Sequence, residues 1–427
     1  MIKAIFQKHY LLFMFLLCLP VLMARVSQNP RGVIWSDAEG YYKYLPAVFV
    51  LKDVRQMPAG SVTPLLNDRG EYLNKYTVGV SYFQAPLFLL TLAILHPERR
   101  GAGEIFGDWF AYAVALSGFF VVFIGLWFLQ RALQRHFSPQ AVAWTLFSVF
   151  LGTNLFHYAT KEMGMSHAYS FALAAFLVWH VPRFYANPGA KNAVILGVAL
   201  GWITLIRPTN IVLILYVLLY DVYSWKAALE RVKYWATRYR TVGWVAAASV
   251  LMWLPQMWYW HEMTGYWFRY SYTNEGFIYW AAPKVAAVLF DPQNGLVLYS
   301  PITVLMFGSV AHNLSVRKHS APAVLLILLV STYLFASWWA WWFGGAFGAR
   351  AYVELFALLA LPLAVFYEKT LSIRNRWAKG GLLACCVFLM YYSVKLSLLY
   401  NTLPGPWDGA DWRWNWDKML WLWGYLF

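Results

Sequence analysis

The chain alternates long apolar runs with short polar clusters, and that alternation predicts its elements. The first run, Tyr10 to Ala24, follows Lys3 and Lys8. Later runs cover roughly 79–96, 109–130, 140–158, 167–183, 192–206, 209–223, 242–260, 294–312, 321–338, 350–368 and 380–400. A helix crosses a bilayer with about 20 predominantly apolar residues, and most of these runs approach that length. They predict an all-α polytopic membrane protein, residues 1–427 forming a single integral membrane domain.

Short basic clusters orient the runs, because Lys and Arg accumulate on the cytoplasmic side of short loops. Arg131 and Arg135, Arg183 and Lys191, the group from Lys226 to Arg240, Arg317 and Lys318, and the group from Arg374 to Lys379 all read as cytoplasmic. They agree with one another if every run from 109 onward crosses once. Run 79–96 breaks that parity, so it is expected to be a re-entrant or interfacial helix. Pro208 separates two short helices, 192–206 and 209–223. About eleven spans result. No convincing small-residue cleavage site follows the first run, so it reads as a signal anchor with the N-terminus cytoplasmic.

Composition strengthens this picture. The chain is 61% hydrophobic and only 12% charged, where a soluble domain would carry roughly a quarter charged residues. Its 25 Trp, 29 Tyr and 30 Phe exceed the needs of cores and suit the membrane–water boundary. The net charge of +15 resides in the topology clusters, and no nucleic-acid-binding motif accompanies it, so nucleic acid is excluded as a partner. Cys18, Cys385 and Cys386 lack metal-ligand spacing and a plausible disulfide pairing.

Acidic residues are distributed unevenly. Of 19, only Asp221, Glu230, Glu354 and Glu368 fall in cytoplasmic or spanning segments. The rest lie outside, in the first external loop with its juxtamembrane helices (25–108), the external loop 261–293, the external tail 401–427 and two short turns. The first loop holds W-S-D-A-E-G-Y-Y-K-Y-L-P-A, where Asp37 or Glu39, beside Tyr41, could act as a general base toward a hydroxyl or hold a divalent cation. An acidic loop with an aromatic belt is the plain alternative. Glu162, flanked by His157, Lys161 and His167, is the only acidic residue between Trp109 and Tyr220.

Arg207, in L-I-R-P-T-N between two apolar runs, suits a phosphate or carboxylate through its planar guanidinium, unless it snorkels or pairs structurally. Arg350 follows the glycine-rich W-W-F-G-G-A-F-G-A and either binds an anion or pairs with Glu354 four residues on. Arg269, Asn274 and Glu275 stand among aromatic residues, a mixture suited to a sugar or to an ordered lid.

D-x-E-G-Y-Y-x-Y-L-P, E-x-G-x-S-H, R-P-T-N, N-G-L-x-x-x-S-P and F-G-x-R, in this order, resemble the GT-C superfamily of polytopic glycosyltransferases. The nearest wording is in bacterial relatives of the family 39 and dolichyl-phosphate-mannose mannosyltransferase-like type. The resemblance implies transfer of a sugar, with inversion, from a polyprenyl-phosphate-linked donor to a hydroxyl of an external glycan, lipid or protein acceptor. It implies a site on the periplasmic face of a bacterial inner membrane, with Asp37 or Glu39 as base or as ligand to Mg²⁺ or Mn²⁺. Glu162 would be the second external acidic residue. Arg207 and Arg350 follow on chemical grounds as partners of the lipid phosphate, with Tyr41, Lys161, His167, Arg269 and Glu275 as further substrate contacts. A transporter or flippase of lipid-linked sugars, or an O-antigen ligase or polymerase, is the alternative; the first would call for ionisable groups at mid-membrane and repeated halves.

Overall fold

The structure is a computed structural model that describes residues 2–57, 65–67, 70, 72–95, 105–272, 275–400 and 416–426. Asn274 and residues 401–415, in the tail expected to be external, lie outside the described residues. The protein is an all-α membrane protein whose only sheet, among the described residues, is an antiparallel pair, β1 (Leu65–Leu66) and β2 (Tyr72–Leu73).

The chain opens with α1 (Ile2–Gln28), kinked at His9, and two short helices, α2 (Asp37–Tyr42) and α3 (Tyr44–Phe49). Next come α4 (Ser81–Leu95), α5 (Asp108–Leu133), α6 (Pro139–Leu151), α7 (Leu155–Thr160), α8 (Ser166–Ala186) and α9 (Ala190–Ile206). A 3₁₀ turn at Pro208–Leu213 leads into α10 (Ile214–Leu218), followed by α11 (Trp225–Thr237) and α12 (Tyr239–Thr264). The last third holds α13 (Val285–Phe290), α14 (Leu296–Tyr299), α15 (Thr303–Ser315) and α16 (Ala321–Ser337). A 3₁₀ turn at Arg350–Leu355 then continues as α17 (Phe356–Ser372), before α18 (Arg376–Leu399) and α19 (Trp416–Trp423).

Among the described residues, five helical segments are long and apolar enough to cross a membrane: His9–Gln28, Val78–Leu95, Asp108–Leu133, Arg350–Ser372 and Arg376–Leu399. The described part of run 79–96 is thus one continuous helical stretch to Leu95, without the reversal of a re-entrant loop. Its start is tied to α2, Ser81 donating to the Tyr41 carbonyl at 2.5 Å, and the chain returns to α2 where Tyr42 donates to the Ile105 carbonyl. Two expected single helices are interrupted. Run 140–158 breaks at Gly152–Asn154, and run 294–312 breaks at Ser300–Pro301, where proline supplies no N–H and disfavours a helical residue before it. The basic segment after Asp221, read as a cytoplasmic topology cluster, forms amphipathic α11, exposing Trp225, Leu229 and Val232 on one face.

The bundle is held by close helix pairs, α5 against α8, α6 against α17 and α9 against α12. Between α9 and α12 the approach requires glycine. A Cβ on Gly197 would sit 2.3 Å from the Val245 carbonyl oxygen, and one on Gly201 2.6 Å from that of Ser249. Such small-xxx-small seams let helices associate where lipid offers no hydrophobic drive. Ser249 adds a hydrogen bond to the Gly197 carbonyl at 2.8 Å.

Candidate active site

The site begins at Ser36, whose φ of 57° turns the chain so that Asp37 opens α2. In a helix, residues two apart point roughly 200° away from each other. Asp37 and Glu39 therefore face opposite ways and have different partners. The Asp37 carboxylate accepts from Tyr76 Oη at 2.5 Å and from Arg350 Nη2 at 2.9 Å. Glu39 is buried and pairs with Lys43 one turn on, Oε1 to Nζ 2.7 Å, while Lys43 Nζ lies 4.7 Å from the centre of the Tyr72 ring. Glu39 is thus placed in a buried ion pair, away from Asp37.

Burial alone would raise the Asp37 carboxyl. Attraction to Arg350, the Tyr76 hydrogen bond, and the fields of Lys75 and Arg207 outweigh it and hold the group below the usual carboxylate value. Tyr41 packs edge-on against Tyr76 at 4.9 Å. Burial, and then the Asp37 charge, push its phenol up to about 12, so it serves as a hydrogen-bond donor. Tyr76 is fixed from behind, because Asn74 accepts its backbone N–H and donates to the Gly40 carbonyl at 2.6 Å. Gly40 is needed there, since a Cβ would meet the Tyr76 ring at 2.0 Å. Gly40→Ala is expected to push Tyr76 off Asp37 and lower activity about tenfold to a hundredfold, at a stability cost of about 1–3 kcal/mol. Turnover beside thermal unfolding checks this, with Tyr76→Phe as the comparison that deletes only the hydrogen bond.

Arg350 opens a 3₁₀ turn, in which successive side chains step about 120°. Glu354 therefore sits well off the Arg350 face, and no ion pair joins them. Glu354 instead meets the buried His167, Oε2 to Nδ1 3.3 Å, and Arg207, Oε1 to Nε 3.7 Å. Arg207 Nη1 contacts His167 Nε2 at 2.8 Å. Arginine only donates, so Nε2 accepts and the ring proton resides on Nδ1, facing Glu354. Arg350 keeps one buried donor, Nε, without a protein partner, and this open donor is the chemically notable feature of the site.

Glu162 lies on the other side of Arg350, its Oε1 3.5 Å from His157 Nε2, close enough for its charge to act on the guanidinium. Lys161 is directed elsewhere. Its Nζ donates to the carbonyls of Ser397, Leu398 and Tyr400 at 2.8–3.2 Å, closing the end of α18. Burial, and then Arg25, push its ammonium down to about 8. Glu275 pairs with Lys75 at 2.7 Å, and Lys75 in turn lies over the Tyr76 and Tyr272 rings. Arg269 stands on an exposed stretch away from this cluster.

The structure therefore brings together Asp37, Tyr41, His167, Arg207, Arg350 and, at the margin, Glu162. It pairs Glu39 with Lys43, turns Lys161 onto the carbonyls at the end of α18 and pairs Glu275 with Lys75. Tyr76 and Lys75 were not among the sequence candidates, although Y-L-N-K-Y over 72–76 is a second polar-aromatic string, after residues 35–47, between the first two long apolar runs. A divalent cation does not suit this donor set. Asp37 faces two arginines and a lysine, and no three His, Cys, Asp or Glu side chains converge among the described residues.

No protein-family model and no curated protein matches the chain. Two solved structures are similar to it. One is the archaeal oligosaccharyltransferase AglB from Archaeoglobus fulgidus in complex with an inhibitory peptide and a dolichol-phosphate, at TM-score 0.51 and 11% identity over 94% of this chain. The other is ArnT from Cupriavidus metallidurans in the apo state, at TM-score 0.46 and 15% identity over 91% of this chain and 69% of that one. The chain spans 57% of the length of the oligosaccharyltransferase. The first likeness shows the fold alone, a helical membrane architecture shared with the oligosaccharyltransferase.

Proposed function

We propose that this protein is a membrane glycosyltransferase that moves one sugar from a polyprenyl-phosphate-linked donor to a hydroxyl on an external acceptor, with inversion. The carrying observation is the pairing of an ionised carboxylate, Asp37, with an arginine, Arg350, that retains a buried open donor; the likeness of the fold to a dolichol-phosphate-bound oligosaccharyltransferase supports the reading. A phosphate leaving group needs charge stabilisation as its bond breaks, and Arg350 and Arg207 are assigned that role. Asp37 removes the acceptor proton as the acceptor oxygen attacks the anomeric carbon. The bond from that carbon to the phosphate oxygen breaks, and polyprenyl phosphate departs with its electron pair.

Arg350 links the two halves of this chemistry. A free Asp37 held below the usual carboxylate value is a weak base. A phosphate drawn to Arg350 shares the guanidinium and loosens its hold on Asp37. The carboxylate thus gains basicity as the donor arrives. His167 and Glu354 fix Arg207 in orientation, while Tyr41 and Glu162 line the acceptor side. No step is routed through a metal.

Native mass spectrometry of the purified protein tests the donor assignment. A retained polyprenyl phosphate or its sugar adduct is expected, with occupancy falling about tenfold or more in Arg207→Gln, the loss of a charge-assisted contact. Retention of bulk phospholipid alone, alike in both proteins, would sink the assignment.

A further inference from the structure

Two of the elements that carry the site also lead away from it. From His167 to Pro182 on α8 is about 22 Å along the axis, and from Arg350 through its 3₁₀ turn to Leu361 on α17 about 19 Å. At that far end a cavity of about 320 Å³ opens between the α5 terminus, α8, the turn after α10, the 316–320 loop and α17. This is the scale of a small-ligand site. Its lining combines apolar side chains, Ala132, Val178 and Leu361 among them, with polar and charged ones.

Three cations, Arg135, Arg317 and Lys318, converge on it against a single carboxylate, Asp221. Arg135 uses one donor on the Trp179 carbonyl at 3.1 Å. Among the described residues, the Arg317 and Lys318 side chains have no protein acceptor. Asp221 is already satisfied: Tyr223 Oη and Ser320 Oγ donate to its Oδ1 at 3.1 and 3.2 Å, while its own N–H donates to Ser320 Oγ at 3.0 Å. The Ser320 N–H donates to Tyr223 Oη at 2.7 Å, closing a ring of hydrogen bonds that locks two loops together.

The backbone is held in costly conformations at the same place. Of eight non-glycine residues with positive φ among the described residues, four line this cavity: Asp221, Arg317, His319 and Ser320. Such strain persists only where surrounding contacts impose it. His136 and His319 meet edge to face at 5.5 Å. Burial first, then His136 and Lys318, push His319 down to about 4, so at neutral pH it carries no charge.

We propose that this cavity is a second ligand site, independent of the Asp37 site, that binds a phosphate monoester through Arg135, Arg317 and Lys318. Two charges of surplus cation match a dianionic phosphate, and the apolar side chains of the lining accommodate its ester substituent. A lipid headgroup and a soluble phosphate present the same chemistry. Scattered topology charges would bind neither in a defined place, whereas here they converge on one locked cavity.

The test uses the full-length protein in neutral detergent and in nanodiscs. Radiolabelled inorganic phosphate is measured by equilibrium dialysis. Retention from an equimolar mixture of phosphatidic acid and phosphatidylcholine is measured by native mass spectrometry. Arg135→Gln/Arg317→Gln is expected to weaken the responding probe about tenfold or more, and Asp221→Asn, which keeps the acceptor oxygen, to tighten it about threefold. Response to phosphate identifies a soluble ligand, and response to phosphatidic acid alone a lipid headgroup. Binding unchanged in the double variant, or no preference of the wild type for either probe over its neutral control, overturns the proposal. If the double variant fails to fold, Asp221→Asn decides: tightening supports the site and no change refutes it.

Discussion

Asp37→Asn is expected to slow sugar transfer by about 10²–10⁴-fold, the range for loss of a positioned general base, while leaving the protein folded. Asparagine keeps an oxygen toward Tyr76 and the volume of the side chain, so the cost falls on proton transfer and on the partner of Arg350. The pH profile makes the assignment sharper. In the free protein Asp37 is held below the usual carboxylate value by Arg350, Tyr76, Lys75 and Arg207 against the opposing effect of burial. The acid limb of kcat/KM, which reports the free enzyme, should therefore lie below the usual carboxylate range. If the donor phosphate shares Arg350, the acid limb of kcat lies at higher pH than that of kcat/KM. Stability follows the same sign. A depressed carboxylate contributes stability above its unfolded pKa and loses it as pH falls through the lower folded value. Initial rates across pH for wild type and Asp37→Asn check all of this, and an unaltered rate in the variant removes Asp37 from the chemistry.

Much of the architecture was legible because membrane spans are a local signal. Apolar runs and their basic flanks need no knowledge of partners, and α5, α8, α12, α16, α17 and α18 stand where the runs placed them. The breaks at Gly152–Asn154 and Ser300–Pro301 were carried by a glycine and a proline inside otherwise apolar stretches, which averaging over a run conceals. Amphipathic α11 was masked by its charge, since the same lysines and arginines also serve as topology signals.

The site was harder to read for a different reason. Asp37, Arg207 and Arg350 stood out as isolated charges near apolar runs, but their pairing spans 313 positions for Asp37 and Arg350, a contact no spacing reveals. Glu354 was weighed against Arg350 on α-helical spacing. The local 3₁₀ geometry turns it instead toward His167 and Arg207. Tyr76 carries no charge in a chain rich in tyrosine, so its role emerges only when its hydroxyl is seen at Asp37. Treating D-A-E-G-Y-Y as loop left Asp37 and Glu39 equivalent. Once the segment is helical, periodicity alone separates them.

That separation carries the second large effect, on stability. Glu39→Gln is expected to destabilise the protein by about 3–5 kcal/mol, because it strands the Lys43 ammonium in the core without its counter-charge. Lys43 is fully buried, 2.7 Å from Glu39, and the Tyr72 ring nearby offers far less than a carboxylate. Removing both charges in Glu39→Gln/Lys43→Met should recover most of the loss, since a buried pair replaced by apolar volume is often neutral or better. Thermal unfolding of the single and double variants measures the cycle. Transfer per folded molecule in the double variant should stay near wild type, in contrast to the collapse expected for Asp37→Asn. Wild-type stability in Glu39→Gln together with lost transfer would instead move the base from Asp37 to Glu39, and the ion pair with Lys43 would become part of the chemistry.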